Sequence, residues 1–95
     1  MQDAQAVRAE IARLQAAAIQ ATQAGKEDEA GQLWARLLDY DANHGLALIS
    51  LGKRAFRHGD LGRAQLAFER LVAAHPSHTQ GWINLALTHQ GRKDE

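Results

Sequence analysis

The chain has 95 residues, enough for one small domain, and its 45% hydrophobic and 23% charged residues are an ordinary globular balance. Eleven Lys and Arg offset eleven Asp and Glu, so the formal net charge is zero, which argues against the basic excess of a nucleic-acid binder. With only 5% aromatics, one Pro and no Cys, an all-β fold, a disulfide framework and thiol chemistry are all excluded.

The N-terminal residues Met1 to Gln5 lack a basic start followed by an apolar stretch, so no secretion signal is read there. No apolar run approaches the roughly 18 residues of a membrane span, and a cytoplasmic location without membrane attachment is expected. The hydrophobic pattern predicts five helices, at about 3–24, 27–40, 44–58, 61–74 and 78–90. Between the first two, Gly25 is the break, and Glu27, Asp28 and Glu29 fall where negative charge favours a helix start rather than forming an acidic site. Asn43 reads as the cap of the third helix, which carries Leu48, Leu51, Ala55 and Phe56 at helical spacing. Gly59 then gives a left-handed exit and Asp60 caps the fourth helix, striped by Leu61, Ala64, Phe68, Leu71 and Val72. His75 and Pro76 stop that helix, and Ser77 to Gln80 reads as a capping box for the fifth.

Sliding the chain against itself by 34 residues superposes Gly25 on Gly59, Ala30 on Ala64, Trp34 on Phe68, Leu37 on Leu71 and His44 on His78. A third copy continues the register: Leu14, Leu48 and Trp82 align, as do Ala17, Leu51 and Leu85, and Ala18, Gly52 and Ala86. Leu48, Leu51, Gly52, Ala55, Gly59, Ala64, Phe68, Leu71 and Pro76 make the middle unit closely resemble a tetratricopeptide repeat, and Trp82, Asn84, Leu85 and Ala86 resemble the start of another. The first unit is more degenerate, with Ala42 in place of the Pro. The resemblance implies an all-α solenoid of helical hairpins, about two and a half repeats of antiparallel helices. Its parts are an extension of the first helix at 1–10, repeats at 11–44 and 45–78, and the first helix of a truncated repeat at 79–95.

Small residues at Gly52, Ala55 and Ala64 let the paired helices approach, while Phe68 and Trp34 are expected to fill space between neighbouring hairpins. Gly91 to Glu95 reads as a hairpin turn cut short, leaving Trp82, Ile83 and Leu85 at an open edge. A fragment of a longer protein, with a homodimer possible through that edge, is the expectation.

In arrays of this kind the first helix of each hairpin lines a concave groove. The residues expected there are Gln15 and Ile19, then Ile49, Ser50, Lys53, Phe56 and Arg57, then Gln80, Ile83, Asn84 and Leu87. Such a mixed surface suits a peptide or protein partner. Lys53 and Arg57, one helical turn apart, favour an acidic one. Residues 45–78 carry five cations and two anions, against three and five in 11–44, which sharpens that preference. The carboxylate clamp of chaperone-tail adaptors is not matched, because Gln15, Ile19, Ser50 and Gln80 stand where its residues belong and only Asn84 fits. No metal or other cofactor is expected, since the five histidines lack a His-Glu-x-x-His helix or clustered carboxylates. With no phosphate loop, nucleophile elbow or carboxylate pair, the chain reads as a binding module without catalytic residues. An alternative reading comes from residues 82–90, which are similar to repeats preceding the catalytic domain of bacterial aspartyl/asparaginyl β-hydroxylase-like proteins. It would make the chain an accessory region of an enzyme.

Overall fold

The computed structural model describes residues 3–93, and these form five α-helices with no strand among them. In chain order they are α1 (Ala4–Gln23), α2 (Glu27–Tyr40), α3 (Gly45–Arg57), α4 (Leu61–Ala74) and α5 (Thr79–Lys93). The chain divides into two compact units, Met1–Ala42 and Asn43–Glu95.

In the first unit α1 and α2 pack as a helical hairpin. Asp3 caps α1 by accepting from the Gln5 N–H at 3.0 Å, and Leu14, Ala18 and Ala21 are the buried residues of that helix. From α2, Ala30, Gly31, Trp34 and Leu37 are buried. No side chain caps α2 at Lys26; its first turn holds Glu27, Asp28 and Glu29, whose charges interact favourably with the helix dipole.

The second unit repeats the hairpin with α3 and α4 and adds α5, which packs along α4 and touches α3. Phe68 is its central side chain, 1% exposed. A Cβ at Gly52 of α3 would lie 2.8 Å from Phe68 Cζ, so glycine is what allows the ring to sit against that backbone. Gly81 plays the same part for α5, where a Cβ would come within 2.9 Å of Leu71 Cδ2.

The two hairpin turns are alike in their hydrogen bonds. Gly25 has φ 77° and Gly59 φ 79°, the left-handed region that costs any residue with a Cβ. At the first turn the Gly25 N–H donates to the Thr22 carbonyl (3.1 Å) and the Lys26 N–H to that of Ala21 (2.9 Å). At the second, Gly59 donates to Phe56 (3.1 Å) and Asp60 to Ala55 (2.9 Å). Both are Schellman-type closures, offset by the 34 residues of the sequence repeat. They differ in the next residue: Asp60 Oδ1 accepts from the Arg63 N–H at 3.2 Å, whereas Lys26 has no such acceptor.

Four sequence readings are corrected. Asn43 is not the cap of α3; His44 is, its Nδ1 accepting from the Ala47 N–H at 3.2 Å. The capping box at Ser77 does not form either. His78 Nδ1 accepts from the Gly81 N–H at 2.9 Å, and Gln80 turns away to donate to Asn84 Oδ1 at 3.1 Å. In both cases the imidazole one residue nearer the helix already satisfies an N–H of the first turn, leaving the neighbouring Asn or Ser without that task. Gly91 is not a turn, because α5 runs through it to Lys93, with Gly91 packed near Leu61. The last two residues of that expected turn, Asp94 and Glu95, lie outside the described residues. Leu85, expected at an open edge, is 8% exposed, since it is on the side of α5 buried with Gly81 and Thr88.

Candidate functional site

A cavity lined by five of the expected groove residues lies in the second unit. Because α3 and α5 both pack on α4 but touch each other only lightly, a cleft opens between them. Lys53, Phe56 and Arg57 of α3 face Asn84 and Leu87 of α5 across a cavity of about 200 Å³. Phe68 of α4 also lines it, a residue that sequence reasoning assigned to packing alone. No local pattern of residues marks this second role.

The walls are chiefly apolar. Phe56 is 38% and Leu87 49% exposed, high for large apolar side chains. Two cations stand on the α3 side, Lys53 and Arg57, four residues apart and therefore on one helix face. The polar group on the α5 side is the Asn84 amide. Its Oδ1 accepts from Gln80, and its backbone carbonyl accepts from Thr88 Oγ1 at 2.7 Å, which satisfies the fully buried Thr88 hydroxyl. The Asn84 Nδ2 is buried with no hydrogen-bond partner. A buried donor in that state is uncommon and unfavourable.

The other expected groove residues are placed differently. Gln15 and Ile19 are half-buried on α1 in the first unit. Ile49 and Ser50 are half-buried in the N-terminal half of α3, outside the cavity lining. Gln80 is exposed and oriented by Asn84, and Ile83 is 47% exposed on α5. Trp82 is pinned rather than loose, its indole N–H donating to the Pro76 carbonyl at 2.8 Å, so that the ring braces the turn before α5.

Of the remaining histidines, His75 has a structural task. His75 Nε2 is 2.7 Å from the Asn43 carbonyl, and its ring lies against Gly45, tying the end of α4 to the start of α3. Among the described residues no three His, Asp or Glu side chains converge as a metal site would require. No described helix is long and apolar enough to cross a membrane.

In sequence, the chain matches no protein-family model and no curated protein. The site therefore has to be interpreted from its own chemistry.

Proposed function

We propose that this chain is a tetratricopeptide-type interaction module, and that its second unit binds a peptide segment of a partner protein in the cleft between α3 and α5. The observation that carries this reading is the cavity itself, where two apolar walls, two cations and the polar side chain of Asn84 converge. Apolar volume supplies affinity and a few placed polar groups supply orientation, which is the composition of a recognition site. The repeat character rests on the 34-residue offset of side chains together with the matching hydrogen bonds at Gly25 and Gly59. Association rather than catalysis is the role this composition favours. An acidic partner fits best, because residues 43–95 carry seven cationic and four anionic side chains.

The test is selection of a displayed random peptide library on the immobilised chain, run beside a Leu87→Arg variant. Leu87 is half exposed, so an arginine there obstructs the cleft while circular dichroism should report unchanged helicity. Enrichment on the native chain and its loss on the variant is the expected result. Peptides that bind both forms equally would place recognition elsewhere on the surface.

A further inference from the structure

Resting on the groove reading above, we infer that the cavity takes a bulky apolar side chain from an internal segment of the partner peptide, with a carboxylate side chain two residues from it. Two features of the site define that ligand.

The first is volume. At about 200 Å³ the cavity exceeds the roughly 150 Å³ apolar cavity that suffices to hold a benzene ring. A phenyl or branched aliphatic side chain therefore fits between Phe56 and Leu87 above Phe68, and a glycine or alanine leaves it largely unfilled.

The second is the position of the cations. Lys53 and Arg57 line the same small cavity, not a distant patch, so a carboxylate reaches them only if it is close in sequence to the buried side chain. Along an extended segment, residues two apart share a face and are separated by about 6.8 Å. An apolar residue with Asp or Glu two positions away therefore presents both side chains to the cavity. An Arg or Lys at that position would meet like charge and be excluded.

The probe is a library of random heptapeptides flanked on both sides by Gly-Ser spacers, so that no chain terminus lies near the site. Enriched sequences are expected to pair Phe, Leu, Ile or Trp with Asp or Glu two positions away. A synthetic peptide of that consensus, acetylated and amidated, should lose at least tenfold in affinity when its acid becomes the amide or its apolar residue becomes Ala. Lys53→Gln, a change at an exposed position, should weaken the acidic peptide and leave the amide version unchanged. Enriched peptides that depend on Leu87 but show no acid preference, or that bind the Lys53→Gln variant with undiminished acid dependence, would overturn this inference and leave the groove reading standing. Failure to enrich any peptide, or enrichment indifferent to Leu87→Arg, would overturn the groove reading itself.

Discussion

In the first unit, α1 and α2 bury Leu14, Ala18, Trp34 and Leu37 and the element list ends there; in the second, α3 and α4 form the corresponding hairpin and α5 lies against α4. The turns at Gly25 and Gly59 share their backbone geometry, so the hairpin does not distinguish the units. What distinguishes them is the third helix and the charge. The first unit carries four cationic and seven anionic side chains, the second seven and four. A hairpin by itself is a scaffold; a third helix laid beside it turns one face into a cleft. Under the proposed binding role, recognition chemistry would vary on side chains such as Lys53 without disturbing the residues that hold the helices together.

The largest test of that contrast is Phe68→Ala, which removes both the central side chain of the second unit and part of the cavity lining. A loss of about 3 to 5 kcal/mol is expected. Trp34 and Trp82 lie one in each unit, so urea titrations of Trp34→Phe and Trp82→Phe backgrounds can follow the units separately. A larger shift of the Trp82 signal would confine the damage to the second unit, whereas equal shifts would make the two one cooperative block.

Next in size are the glycines. Gly52→Ala drives a methyl group into the Phe68 ring and should cost about 1 to 3 kcal/mol by overpacking. Gly25→Ala and Gly59→Ala meet no neighbouring atoms and should each cost about 1 to 2 kcal/mol, from the left-handed backbone alone. Thermal melts of the last two should agree; a large difference between them would break the equivalence of the turns.

A smaller effect is expected at the histidine caps. His44→Ala and His78→Ala each remove a bond to an N–H in the first turn of a helix, at about 1 kcal/mol. His44→Asn and His78→Asn should recover most of it, which circular dichroism melts can follow. The smallest change is a gain. Lys26→Ser supplies α2 with the side-chain acceptor that Asp60 gives α4, and should raise the stability of the first unit by about 0.5 to 1 kcal/mol in urea titration.

Much of this arrangement was legible before any coordinates. Helical periodicity located all five helices to within a few residues, because an amphipathic stripe is a local property of the chain. Gly25 and Gly59 marked the turns because only glycine adopts that φ at little cost. Lys53, Phe56, Arg57, Asn84 and Leu87, which helical spacing places off the hairpin core, line a common cavity. Asn43 and Ser77 misled because capping statistics favour them by residue type, while the competing His44 and His78 act through ring geometry that composition does not reveal. Gly91 misled for a related reason: glycine permits a turn but does not impose one, and the helix continues against Leu61.

The amino-acid sequence by itself determined the helices, the 34-residue period and the opposite charge of the two halves, since each follows from residue type and spacing along one chain. Tertiary structure decided which of the outward side chains meet. The cavity exists because α3 and α5 rest on α4 and diverge from each other, so that Phe68 belongs to the core and to the cleft at once. The same packing leaves Asn84 Nδ2 buried without an acceptor. No local pattern of residues encodes that burial.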